Sequence, residues 1–173
     1  MINLKARSVV YGGVFLAVGL VLSLVIHSIG GQQFGTIFGP LNFVALTTGV
    51  VTGPWVGLTV GIILPLLSSV IFGMPPLMPP IAVFMALQLG TYGILTGLFE
   101  RKNLNIFLNL AISIVAGGVV YALGYYVIGY MVGIHLQPLT AILLSFALGL
   151  PGIVIQFLLI PAIRYSIKRA RKS

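Results

Sequence analysis

The basic residues of this 173-residue chain are confined to three places, and nearly everything between them is apolar. Lys5 and Arg7 stand at the start, Arg101 and Lys102 in the middle, and Arg164, Lys168, Arg169, Arg171 and Lys172 at the end, with Glu100 the single acid. Charged residues make up 6% of the chain and hydrophobic ones 59%. A soluble domain carries about 25% charge, so the sequence reads as an integral membrane protein. A helix needs about 20 mostly apolar residues to cross roughly 30 Å of hydrocarbon. The runs predict an all-α membrane domain of six transmembrane helices over residues 9–27, 41–51, 56–72, 81–99, 106–132 and 141–163. No hydrophilic linker interrupts residues 1–173, which predicts a single domain.

Positive charge collects on the cytoplasmic side of a membrane protein. Six crossings put all three basic sites there, with both termini cytoplasmic, whereas five or seven would strand one of them. The outer connections are then residues 28–40, 73–80 and 133–140, and none contains Lys, Arg, Asp or Glu. The second span is the shortest. It is either tilted or begins inside the Gly-rich segment before it. The first run is too long for a signal peptide and lacks a small-residue cleavage site, so it reads as a retained helix. The net charge of +8 follows from the orientation rule and calls for no nucleic-acid partner.

Glycine and proline divide these runs. The 22 glycines would by chance give roughly three pairs at the four-residue spacing of helix contacts. Seven occur, among them the ladder Gly49-Gly53-Gly57-Gly61 and the pairs Gly93/Gly97 and Gly129/Gly133. Lipid gives helices no hydrophobic reason to associate, so small residues that admit close backbone approach must supply it. Gly53-Pro54 predicts a tight inner turn, and Gly73-Met-Pro-Pro-Leu-Met-Pro-Pro80 a stiff outer loop, because proline lacks an amide donor and restricts the residue before it. Pro65, Pro151 and Pro161 are expected to kink helices. The connection from His27 to Pro40 is rich in glycine and carries Gln32 and Gln33, a composition that suits a mobile lid as well as a passive loop.

Few groups could support acid–base catalysis, which needs a positioned titratable side chain. Glu100 adjoins Arg101 and Lys102 and reads as part of a surface ion pair; His27 and His135 have no carboxylate or second histidine at helical spacing, which argues against a metal. No cysteine and no phosphate-binding Gly-x-x-x-x-Gly-Lys loop occurs, so no thiol chemistry is available and ATP-driven work falls to a partner. No cofactor is called for. Intramembrane acids for proton or sodium coupling are also missing from the sequence.

Uncharged polar and aromatic groups remain, and they suit binding. Gln88 and Tyr92 share a helix face, with Phe84 continuing it outward, and Tyr121 and Tyr125 form an equivalent pair on the next helix. Tyr126 and Tyr130 read either as pocket residues or as an interfacial belt. Asn42, with His135 and Gln137 in the last outer loop, closes the same space. Such a pocket stacks a planar ring and hydrogen-bonds its edges. With no basic residue on the outer side, a neutral ligand is expected.

The stretch from Gly39-Pro-Leu-Asn42 to Gly53-Pro54-Trp55, then Gly61-Ile-Ile-Leu-Pro65-Leu-Leu-Ser-Ser69, Phe72-Gly-Met-Pro-Pro76 and Met85-Ala-Leu-Gln88-Leu-Gly-Thr-Tyr92-Gly93, resembles the substrate-binding S component of energy-coupling factor (ECF) vitamin transporters. Leu150-Pro-Gly152 through Gln156 to Pro161 is similar to the last helix of that family. The resemblance implies a six-helix, multi-pass protein of the bacterial plasma membrane that captures a vitamin outside and docks on a transmembrane T component carrying two ATPase subunits. ATP hydrolysis then topples it and releases the vitamin inside. In the family a small-x-x-x-small motif on the first helix, usually two alanines, contacts the T component; the matching positions here are Gly13 and Ala17. Members often carry Glu where this chain has Gln88, which agrees with a neutral pocket. A hydroxymethylpyrimidine- or pyridoxine-like ring is the expected ligand, with pantothenate second because its carboxylate would lack a basic partner. A channel or structural subunit without ligand is the competing class, and a membrane enzyme a third.

Overall fold

A computed structural model describes residues 4–77, 80–131, 133 and 138–170. Every regular element in it is a helix: α1 (Leu4–Phe38), α2 (Pro40–Thr52), α3 (Pro54–Phe72), α4 (Ile81–Arg101), α5 (Ile106–Met131), α6 (Leu139–Leu148) and α7 (Leu150–Ala170). Among the described residues, five helices are long and apolar enough to cross a membrane; α2, at 13 residues, is a shorter apolar helix. The chain is a multi-pass membrane protein.

Helices α1 to α5 alternate in direction. Gly12 of α1 lies beside Val56 and Val60 of α3, and Gly19 beside Leu64, so α1 and α3 run parallel. Gly57 of α3 meets Gly93 of α4, Gly61 meets Leu89, and Gly97 meets the Gly53-Pro54 turn, so α3 and α4 run antiparallel. Gly117 of α5 faces Tyr92 of α4, and Gly124 faces Leu87 and Phe84, which reverses direction again. The starts of α1, α3 and α5 therefore share one end of the bundle with the last turns of α2, α4 and α7. The described basic residues, from Lys5 to Arg169, belong to that end. There Glu100 pairs with Arg164 at 2.7 Å and with Lys168 at 2.8 Å, tying α4 to α7, and these rather than its sequence neighbours Arg101 and Lys102 are its ion-pair partners among the described residues. Arg101 lies over Gly53 at the C-terminal end of α2, where a cation complements the helix dipole.

Glycine contact holds the centre. Gly49, Gly57, Gly61, Gly93 and Gly97 each face backbone of a neighbouring helix so closely that no Cβ fits without movement. The core around them is Leu46, Leu64, Leu89, Leu110 and Ile160, all fully buried. Buried threonine hydroxyls are satisfied within their own helices, as with Thr48 to the Val44 carbonyl at 2.6 Å and Thr96 to the Tyr92 carbonyl at 2.7 Å. Such back-bonding answers the demand that polar groups in lipid find internal partners. Asn109, also buried, bridges helices by donating from Nδ2 to the Thr96 carbonyl at 3.0 Å.

Two predicted boundaries differ. Residues 28–40, predicted as an outer connection, are mostly helical: α1 breaks at Gly30 (φ −138°, ψ 16°) and Gly31 (φ 63°, ψ −157°), and helix resumes to Phe38. The chain doubles back at that break, because Gly35 packs on the imidazole of His27. At about 1.5 Å per residue, α2 alone rises about 20 Å and residues 32–52 together about 30 Å. Helix therefore flanks Gly39 on both sides, in residues 32–38 and in α2. The predicted helix over 141–163 is in turn divided at Gly149 into α6 and α7. Pro151 has no amide to offer the Ala147 carbonyl, so the hydrogen-bond ladder is interrupted there.

Candidate functional site

At the end opposite the ion pair, the bundle opens into a cavity of about 420 Å³ lined by all seven helices except α3, within the size range of small-molecule sites, about 300–1,000 Å³. The remaining wall is the α3–α4 connection, through Met74, Pro75 and Pro76. That Pro-rich loop, which contains a cis Met74-Pro75 peptide, is held from α3: Ser68 donates to the Met74 carbonyl at 2.7 Å and Ser69 to the Pro75 carbonyl. Ser68 and Ser69 are themselves buried, so the loop is anchored in the bundle.

α4 presents Met85, Gln88 and Tyr92 to the cavity, one turn apart. Gln88 Nε2 donates to the Tyr92 hydroxyl at 2.7 Å. Tyr92 is 2% exposed and lies at the cavity floor against Gly117, whose missing side chain admits its ring. α5 contributes Tyr121 and Tyr125, their rings nearly parallel with centroids 6.5 Å apart. Phe84 stands behind both, edge-on at 6.2 Å and 5.6 Å. It props the tyrosine pair rather than lining the cavity.

The opposite wall comes from α1, α2 and α7. His27 Nδ1–H donates to the Ser23 carbonyl at 2.7 Å; because a carbonyl only accepts, the neutral ring keeps Nε2 as an acceptor beside Gly35. Gln32 and Thr36, from the helical segment beyond the Gly30-Gly31 break, also line the space. Gly39 has φ 53° and ψ 56°, and a Cβ there would stand 2.9 Å from Asn42 Nδ2 and 3.4 Å from Gln156 Nε2. Both its left-handed backbone and the close approach of two amides call for glycine. Phe146 of α6 and Ile153 of α7 complete the lining, the Phe146 ring lying over Gly118 of α5.

Of the residues predicted for binding, Gln32, Asn42, Gln88, Tyr92, Tyr121 and Tyr125 line one cavity. Gln33 is exposed and does not. His135 and Gln137 lie outside the described residues. His27 and Gln156 line the cavity without having been selected from sequence. Gln156 is a polar residue inside an apolar run, the same signal that singled out Gln88. Gly13 and Ala17 are both exposed on α1, far from the cavity, and nothing lies within 4 Å of a Cβ built on Gly13.

Among the described residues, no Asp, Glu, Lys or Arg lines the cavity. What does line it is aromatic surface, thioether and amide, so it can enclose a planar uncharged molecule and hydrogen-bond its rim. Comparison with protein-family models, curated proteins and solved structures gives no match for this chain.

Proposed function

We propose that this protein is the vitamin-binding S component of an ECF-type importer, crossing the bacterial plasma membrane six times with both termini in the cytoplasm. The observation that carries the reading is the uncharged, amide- and tyrosine-lined cavity of about 420 Å³ at the end of the bundle opposite the Arg164–Glu100–Lys168 cluster. The positive-inside rule assigns the basic end to the cytoplasm, and the cavity then faces outward. The sixth crossing is made by residues 32–52, about 30 Å of interrupted helix. The ligand is a small neutral ring compound of the hydroxymethylpyrimidine or pyridoxine kind, lying against Tyr121 and Tyr125 with Gln88 and Tyr92 beneath it. Pantothenate ranks second, since no cation lines the cavity to meet its carboxylate.

Release inside requires a partner. The chain supplies no ATP-binding loop and no intramembrane acid, and a T component with two ATPases provides the work. The exposed small residues Gly13 and Ala17 are the docking surface, where a partner helix can approach the α1 backbone closely. A ligandless channel is disfavoured by the floor of the cavity. Tyr92 packs in one buried core cluster with Leu46 and Leu110, and the next polar groups on α4 and α5, Thr96 and Asn109, are fully buried and bonded to each other.

The test is a binding screen on the detergent-purified chain with B-vitamins and their ring precursors, read by quenching of tyrosine fluorescence. Saturable binding of a neutral ring compound at micromolar or lower concentration is expected. Failure of every compound to bind overturns the assignment.

A further inference from the structure

One face of α7 runs in a file from hydrocarbon to charge. Val154, Leu158, Ala162, Tyr165 and Arg169 follow one another three or four residues apart and all are exposed, so they share one side of the helix. From Leu158 to Arg169 the helix rises about 16 Å, close to half of the roughly 30 Å hydrocarbon thickness of a bilayer. The face therefore measures one leaflet, with aliphatic side chains toward mid-membrane, a tyrosine where aromatic rings settle at the membrane–water boundary, and a guanidinium one turn beyond. Arg169 has no acidic partner among the described residues. Glu100 is the single acidic side chain, and two other cations of α7 already hold it, Arg164 Nε on Oε2 at 2.7 Å and Lys168 Nζ on Oε1 at 2.8 Å. A cation in the last turn also complements the helix dipole. That accounts for its place along the axis, but not for the exposed tyrosine and aliphatic side chains in line with it.

We propose that this face of α7 binds an acidic phospholipid, whose phosphate pairs with Arg169 while an acyl chain lies along Ala162, Leu158 and Val154. A guanidinium suits the phosphate because its planar fork of donors can meet two oxygens at once. The small Ala162 leaves room for the chain between Leu158 and Tyr165, and the Tyr165 ring spans the boundary between chain and headgroup. A zwitterionic lipid offers the same chains but carries its own cation beside the phosphate, so it gains less from Arg169. The site lies outside the cavity, and the inference is independent of what the cavity binds.

Native mass spectrometry of the full-length purified protein, titrated with phosphatidylglycerol or with phosphatidylcholine of identical chains, reads the site directly. Phosphatidylglycerol is expected to bind about fivefold tighter, the scale of one basic residue at an anionic lipid surface. Arg169→Gln should remove that preference. Lys102→Gln, which deletes an equal charge elsewhere at the basic end, should keep it. Tyr165→Ala should weaken the binding of both lipids and Tyr165→Trp should preserve it, since either ring suits the interface. All three side chains are exposed, so the variants should keep the unfolding midpoint of the unaltered chain, and the lipid ratio of that chain needs no variant at all. Equal affinity for the two lipids, or equal losses from Arg169→Gln and Lys102→Gln, overturns the inference. So does displacement of phosphatidylglycerol by glycerol 3-phosphate at matching concentration, which would make Arg169 a site for free phosphate. If the α7 variants release a copurifying protein and leave lipid binding unchanged, the face belongs to a partner helix and the lipid assignment falls.

Discussion

The same residue type has opposite consequences at different positions in this bundle. A Cβ on Gly93 would collide with the backbone of Gly57, and one on Gly57 with the backbone of Gly93; backbone cannot rotate aside as a side chain can. Gly13, also within a helix, has nothing within 4 Å. Gly93→Ala should therefore destabilise by about 1–3 kcal/mol or more, the cost of overpacking. Gly13→Ala should be neutral or stabilise by up to about 1 kcal/mol, since alanine favours helix over glycine. Thermal unfolding in a single detergent checks both, and equal midpoints for the two variants would contradict the α3–α4 contact. The glycine spacing already foretells close packing in the sequence. It does not say which pairs are used, because in lipid the outward face of a helix is as apolar as the inward one, and the amphipathic stripe that orients a soluble helix is missing. Val9, Val14 and Val21, exposed on α1, look in sequence just like the buried Val44 and Val60.

The long helices follow from the apolar runs, and the turn at Gly53-Pro54 and the Pro-rich connection from Gly73 are as legible in sequence as in structure. The interruptions are less so. A cluster of glycines near Gly30 suggests irregular chain, yet helix resumes directly after the break and pairs the backbone amides within the segment. Only Gly30 and Gly31 depart from helical angles before Phe38. Likewise Gly149 and Pro151 divide an apolar run that shows no change in composition. The cavity depends on these breaks, since Gln32, Thr36 and Phe146 reach it from the short helices they create, and helix periodicity alone could not place those side chains. Gly31, at φ 63° and ψ −157°, occupies a region almost restricted to glycine. Its added Cβ would meet no atom within 4 Å, so the penalty of Gly31→Ala is conformational, about 1–3 kcal/mol. A lower unfolding midpoint with weakened ligand binding is expected; an unchanged midpoint would mean that the reversal of α1 does not depend on this residue.

Across the whole molecule, charge and cavity occupy opposite ends, and of the five membrane-length helices α1 is the least covered by the rest, with 11% of its apolar stretch buried. A helix held so loosely by its own bundle offers its surface to lipid or to another protein. Small residues at positions 13 and 17 make a flat strip on that surface, and in lipid a flat strip gains from association only if another helix approaches its backbone. This separates two roles that a single substitution could otherwise confuse. Leucine at Gly13 or Ala17 enters open space in the isolated protein, so Gly13→Leu and Ala17→Leu should leave the unfolding midpoint and the ligand affinity of the purified chain unchanged. In cells that also express the T component and its ATPases, the same variants should abolish vitamin uptake, because the added side chain holds the partner helix away from α1. Copurification of the complex reads the same contact directly: the variants should lose the T component while keeping the ligand. Uptake and copurification both at the level of the unaltered chain would take the docking surface off this face of α1, and since the ligand measurement is independent, they would do so without disturbing the assignment of the cavity.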